Sequence, residues 1–441
     1  MTVPAGVAAG THLLGVGFDR GTRALAGTEH LLAVYRKTAR AVQRYFCPMR
    51  TLLLNVGHFL THFFLLLYPT VALTLESEAA SYGDLLLPAT AAWVAFAFFT
   101  LPVSWVGDRA GDRGGKPALI ALLFFGLAAG GLVAGLAEDT LLLTCGLALI
   151  GAAAAIYHPV GLSLLVEDAA RTGRTIGING VWGNMGVAAA PLFAAGIAAW
   201  LGWRWVFLIA AAIALACGLA QLALKRKAAR AVAAAVDDPP MPTRGVLLRV
   251  LLFFVAGGLF GGVLFNALTI ALPKIIEEAL PDVGALGAGV WATAIFTVAA
   301  FSQIVSGHLL DRLSARDLAG GIVTAMTLAL AALALVDGWI ALLPALIAVV
   351  MLFAEIPVGD TLIRRLTPSR LRTRAYGLAY MLSFATAAAT VPLISWIYDR
   401  SGGLDPLLWL LVGAGALDAL ACWALPRSAS RPRPEAVLQT A

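Results

Sequence analysis

The side chains able to carry acid–base or ligand chemistry are few in this sequence, and they sit inside long apolar runs. Glu355 and Asp360 share one run, LFAEIPVGDTLIRR, with Pro357 between them. A charged acid in hydrocarbon costs roughly 2.5–3.5 kcal/mol on insertion scales, so such residues face a cavity or a partner. Protonation removes that charge, and a carboxyl placed this way can carry a proton. Structural pairing is the competing role. Asp360 lies four residues before Arg364, on one helical face. His58 and His62, in HFLTH, are also four apart and share a face. Histidine exchanges protons near neutrality, so His62 or His158 could relay a proton to Glu355. Lining a cavity and hydrogen bonding between helices are the alternatives. The stretch lacks the glutamate of the H-E-x-x-H zinc motif, and no metal site is expected. Asn55, Tyr68, Tyr157, Asn184, Asn266 and Gln303 are further polar groups that could line the same cavity, each with a packing contact as its rival.

The runs themselves define the elements. Of 441 residues, 60% are hydrophobic and 13% charged, where an ordinary soluble domain carries about a quarter charged residues. The hydrocarbon layer takes about 20 apolar residues per helix. Twelve runs of that length occur, near 52–74, 84–106, 117–137, 140–166, 176–200, 204–224, 247–273, 288–310, 318–336, 339–363, 375–397 and 405–425. The sequence therefore predicts an all-α membrane protein of twelve transmembrane helices. The net charge of +6 would suit nucleic acid, but its placement decides otherwise. With a cytoplasmic N-terminus, every Lys and Arg except Arg204, Lys274 and Arg400 falls in a cytoplasmic segment. This positive-inside pattern predicts a multi-pass protein of the plasma (inner) membrane with both termini cytoplasmic and no nucleic-acid partner. Cys145, Cys217 and Cys422 fall in predicted helices and Cys47 on the cytoplasmic side, so no disulfide framework is implied. The first 50 residues lack a signal-peptide h-region, and the first helix is expected to direct insertion.

Five segments follow: an N-terminal extension (1–50), a first six-helix bundle (51–224), a linker (225–246), a second six-helix bundle (247–426) and a tail (427–441). In the extension, Leu31, Tyr35, Val42 and Tyr45 share one helical face and Arg36, Arg40 and Arg44 another, a pattern suited to an interfacial basic helix or to a solvated one. The linker KRKAARAVAAAVDDPPMPTRG combines charge with three prolines. A shift of about 200 residues aligns the bundles. Pro69 then matches Pro273, His62 matches Asn266, and Asp108-Arg109 matches Asp311-Arg312. His158-Pro159-Val160-Gly161 matches Ile356-Pro357-Val358-Gly359, and Arg174 matches Arg374. Parallel repeats place a binding site at the midplane between the bundles, where rocking opens it to either side.

Two repeated stretches, SWVGDRAGDRGGK (104–116) and GHLLDRLSAR (307–316), resemble the G-x-x-x-D-R-x-G-R/K loop of the major facilitator superfamily. An aspartate beside arginine at a helix end can bridge to a neighbouring terminus, so Asp108, Arg109, Asp311, Arg312, Arg174 and Arg374 are read as gating residues. A solvated loop is the alternative. The phosphate-loop reading of GDRGGKP fails, because Ala110 and Pro117 stand where glycine and a hydroxyl are needed. No ATP and no cofactor are expected. The fifth run, GINGVWGNMGVAAAPLFAA, resembles the superfamily's antiporter signature at Gly177, Gly186 and Pro191, which are also read as helix-packing residues.

GHFLTHFFLLLYP (57–69), IYHPVG (156–161) and GVWGNMGVAAAPL (180–192) are similar to the fosmidomycin-resistance-like efflux branch of that superfamily. Where the branch carries acids in helices one and four, this chain has His62 and Val160. The resemblance implies a secondary transporter that moves a small solute by alternating access. It implies proton-coupled efflux of a drug-like or anionic molecule, with uptake of an organic anion and a non-transporting sensor or assembly role as alternatives. It also makes Asp418, in the twelfth run, peripheral and structural.

Overall fold

A chain this apolar satisfies its backbone in a bilayer by coiling, since a helix closes its N–H···O=C bonds within one segment. The computed structural model describes residues 49–426 apart from 78–79, 113–114, 168–171, 225–243, 311 and 367–368. At 108, 110–112, 166–167, 172–174, 176, 244, 246–247, 250, 360, 363–366 and 369–380 it describes the backbone alone. Residues 1–48 of the N-terminal extension, with the expected basic face, residues 225–243 of the linker and the tail lie outside the described residues.

Twelve helices are long and apolar enough to span a membrane: α1 (Met49–Leu75), α2 (Tyr82–Gly107), α3 (Lys116–Gly135), α4 (Thr140–Leu165), α5 (Gly177–Leu201), α6 (Trp203–Ala223), α7 (Leu251–Ala279), α8 (Pro281–Leu310), α9 (Ala315–Leu333), α10 (Gly338–Gly359), α11 (Met381–Ser401) and α12 (Asp405–Ala424). Each coincides with a run expected from hydropathy. Their connections are short. Between α5 and α6 a single residue, Gly202, turns the chain at φ +90°, a conformation open to glycine without strain.

The halves repeat each other's packing. In the first, α3 packs on α4 and α6; in the second, α9 packs on α10 and α12. The seam between them is built from α5 against α8 and α2 against α11, pairs that exchange under the repeat. Helix α1 is the most enclosed, with 83% of its central window buried against 33–56% for the others, so its side chains face the protein interior. Large apolar side chains such as Leu219, Leu222, Leu328 and Leu420 are exposed, as a lipid-facing surface requires.

Lipid tails are as apolar as leucine, so helices associate through close packing. Gly186 of α5 shows how close. A Cβ there would stand 2.1 Å from the Phe59 carbonyl oxygen of α1. Gly177, expected to pack a neighbouring helix, instead is exposed and has open space where a Cβ would project; it lies at the start of α5, beyond the crossing. Gly186→Ala is expected to destabilise the protein by about 1–3 kcal/mol through overpacking. Gly177→Ala is expected to leave it unchanged or stabilise it by about 0.4–1 kcal/mol. Thermal unfolding in detergent distinguishes the two, and equal melting temperatures for both variants would refute this account of the α1–α5 contact.

Candidate functional site

Three histidines converge inside the first half. His58 and His62 come one turn apart from α1, and His158 comes from α4, where residues Tyr157–Gly161 form a π-helical turn. Pro159 has no N–H to continue the regular ladder, and such turns recur at functional sites. His58 Nδ1 lies 2.8 Å from the Asn179 carbonyl. A carbonyl only accepts, so Nδ1–H is the donor and Nε2 of the neutral ring carries a lone pair. That Nε2 stands 3.2 Å from His62 Nε2. One ring nitrogen of His158 lies within 4.8 Å of a ring nitrogen of each of the others.

The surroundings hold this trio rigid. Tyr157 stacks on His58 with ring centres 4.6 Å apart. The Asn179 amide donates to Asn55 Oδ1 at 2.8 Å and to the Tyr157 hydroxyl at 2.7 Å. His58 lies over Gly183 of α5, where a Cβ would fall within 2.5 Å of the ring. Phe384 of α11 reaches across the seam to His158, at 5.3 Å, and to Phe96 of α2, at 4.2 Å. Spacing alone offered two of these histidines. The third comes from another helix, so the spacing along the chain did not reveal that the three could together hold a metal ion.

A second cluster lies in the other half. Glu355 of α10, Asp418 and Cys422 of α12 bring side-chain ligand atoms within 4.8 Å of one another. Asp418 is fully buried, and its two oxygens have no hydrogen-bond partner among the described residues. The reading of Asp418 as peripheral is thereby corrected: its helix faces lipid on one side, but this residue points inward. A second π-helical turn, Gly257–Gly261 of α7, passes beside it, and a Cβ on Gly261 would stand 3.2 Å from Asp418 Oδ2. Among the described residues no hydrogen bond joins this cluster to the histidines, so the expected relay to Glu355 has no direct link here.

The third feature closes the end of the bundle at which α1 finishes. The sequence reading stopped the seventh run near 273 and left Lys274 in a loop. The helix continues to Ala279, and Lys274 is only 4% exposed. Its Nζ lies 2.6 Å from Glu76 and 2.9 Å from Glu277. Tyr398 donates to Glu76, Ser81 to Asp399 at 2.7 Å, and Ser395 to the Gly83 carbonyl at 2.8 Å. These bonds tie the first half to the second across α1, α2, α7 and α11. A groove of about 640 Å³ with Lys274, Glu76 and Glu277 among its lining opens beside them.

The remaining expected residues separate. Tyr68 donates to the Leu85 carbonyl at 2.7 Å, tying α1 to α2. Asn266 donates to the Gly262 and Ser383 carbonyls, tying α7 to α11. Gln303 of α8 is buried beside Gly180 of α5, and Asn184 is buried with its Nδ2 unbonded among the described residues. Arg109 and Arg312 are exposed, with the Arg109 guanidinium 3.3 Å above the Trp105 ring. The side chains of Asp108, Asp311, Arg174, Arg374 and Asp360 lie outside the described residues.

A family model described as Major Facilitator Superfamily matches residues 53–353 and 279–440. The chain belongs to the major facilitator superfamily. It is thus a multi-pass membrane transporter acting on a small molecule, and not an enzyme. Solved structures share its fold. A D-xylose–proton symporter is 16% identical, with a TM-score of 0.69 over 88% of this chain and 100% of its own. A bacterial homologue of the human lysosomal transporter Spinster, inward-facing and occupied, is 16% identical, with a TM-score of 0.64 over 86% of this chain and 94% of its own. The xylose transporter XylE from E. coli, in an inward open conformation, is 16% identical, with a TM-score of 0.65 over 85% of this chain and 94% of its own. Comparison with curated proteins gives no match.

Removing one partner of a buried ion pair costs about 3–5 kcal/mol, because a charge stays behind uncompensated. Lys274→Met is expected to lose stability on this scale in thermal or denaturant unfolding. Adding Glu76→Gln and Glu277→Gln should restore part of it, and a triple variant no more stable than the single one contradicts the role of charge here.

Proposed function

We propose that this member of the superfamily is a proton-coupled secondary transporter that exports a small amphipathic or anionic solute. The observation that carries the proton coupling is the Glu355–Asp418 pair. Two full negative charges up to 4.8 Å apart repel by roughly 3 kcal/mol or more at an effective dielectric of about 20, before any cost of burying either. No ion pair relieves them among the described residues. A proton taken up by the pair removes the repulsion, and losing it to the other side of the membrane completes a coupling cycle. The fold accommodates such coupling, since one structure sharing it is described as a proton symporter.

Export, as against uptake, rests on the resemblance of α5 to the antiporter signature and of α1, α4 and α5 to the fosmidomycin-resistance-like branch. The Asp108-Arg109 and Asp311-Arg312 loops act as latches at one end, while the Lys274–Glu76 pair closes the other. The placement of basic residues supports an external position for that closed end and a cytoplasmic one for both termini. No nucleotide drives the cycle.

A growth-inhibition panel with and without the gene supplies a substrate, whose movement is then followed in reconstituted vesicles with and without an imposed pH gradient. Glu355→Gln keeps the size and hydrogen bonding of the side chain but cannot titrate. It is expected to exchange substrate yet to lose accumulation driven by the gradient. If it responds to the gradient as the parent does, Glu355 is not the coupling group. Orientation is tested separately: reporters fused in the α1–α2 and α7–α8 connections should read as external, and an external reading from the 225–246 linker rejects the assignment.

A further inference from the structure

We propose that His58, His62 and His158 form a binding site for a divalent transition-metal ion. The inference does not depend on the proton-coupling reading, which concerns a different cluster in the other half. Its first support is distance. A tetrahedral ion with metal–nitrogen bonds of about 2.0–2.1 Å holds its ligand nitrogens about 3.3 Å apart. The His58 and His62 Nε2 atoms already stand 3.2 Å apart. One ring nitrogen of His158 lies within 4.8 Å of a ring nitrogen of each of the other two, so a side-chain adjustment of roughly 1.5–2 Å brings the third ligand to the same spacing.

The second support is the state of His58. Its Nδ1–H is committed to the Asn179 carbonyl at 2.8 Å, which fixes the tautomer and aims the Nε2 lone pair at His62. A metal-bound histidine is ordinarily held this way by an outer carbonyl or carboxylate. Asn179 is itself fixed by its amide bonds to Asn55 and Tyr157. The third support is enclosure. His58 and His158 are buried, and Tyr157, Phe96 and Phe384 surround the rings. Three imidazoles suit zinc, copper, nickel or iron(II) over magnesium or calcium, which favour oxygen. Three protein ligands leave one position for water or an anionic group.

A hydrogen bond between His58 and His62 is the rival explanation of the 3.2 Å contact, and by itself it does not account for the convergence of His158 on the same two rings. The test takes the full chain, purified in detergent with a tag free of histidine and stripped by chelator, then titrated with Co2+ alone. One Co2+ per chain is expected, with the visible ligand-field bands of a low-coordinate nitrogen site, displaced by Zn2+. His62→Gln and His158→Gln should each weaken Zn2+ binding at least tenfold. His308→Gln, at an exposed histidine, should leave it unchanged. X-ray absorption of the zinc-loaded parent needs no variant and should count three imidazoles. An all-oxygen shell, no stoichiometric Co2+ binding, or binding unaffected by both cluster substitutions overturns the proposal.

Discussion

In hydrocarbon there is no water to hydrogen-bond a polar group, so every polar side chain at membrane depth must be answered by another part of the protein. Much of this molecule follows from that single requirement. Asn266 spends its amide on carbonyls of its own helix and of α11, and Tyr68 spends its hydroxyl on the start of α2. Asn179 serves three partners at once: the His58 ring, the Asn55 side chain and the Tyr157 hydroxyl. Such bonds join helices that apolar contact alone would leave free to slide, and they fix which face of each helix turns inward. Lys274 shows the same rule for a full charge, buried because two glutamates neutralise it.

Glu355 and Asp418 are where this rule is met least well. Each has the other as its near neighbour, and like charges cannot satisfy one another. The histidine trio differs in kind: an imidazole can be buried without charge, and the bonds of His58 to Asn179 and to His62 are compatible with burial. The two clusters occupy opposite halves, and each is adjoined by a π-helical turn, at Tyr157–Gly161 and at Gly257–Gly261. A π turn leaves backbone groups out of the regular ladder and resets the helical phase beyond it. Both turns thus interrupt the regular ladder beside a cluster of titratable side chains.

Close approach between helices is bought with missing side chains. Gly183 makes room for the His58 ring and Gly186 for the Phe59 backbone, so α1 lies against α5 nearer than any larger residue permits. The same α5 forms the seam with α8 through Pro191 and Gly289. Both sides of the seam therefore touch the histidines, α5 through Gly183 and α11 through Phe384. Ties at the Glu76 end and the aromatic contact of Phe96 with Phe384 hold that seam together in this conformation.

The number, order and length of the helices were determined by the sequence itself, because a run of about 20 apolar residues has one stable way to cross a bilayer. The repeat and the superfamily were legible for the same reason: the marks that carry them, Asp-Arg at helix ends and paired prolines within helices, are local in the chain. What hydropathy does not encode is helix rotation. A residue's partners depend on the face it presents, and a uniformly apolar run leaves that face unspecified. So the pairing of Asp418 with Glu355 and the arrival of His158 beside His58 and His62 were settled only when four helices packed. Lys274 was misplaced because a charge was taken to end the helix, whereas Glu76, nearly two hundred positions away, allows it to remain inside. His58 and His62 could be read as a pair from their spacing of four; that they are held by the backbone of Asn179 was decided by tertiary structure, since the Gly183 that lets α1 come so near belongs to a helix more than a hundred residues further along the chain.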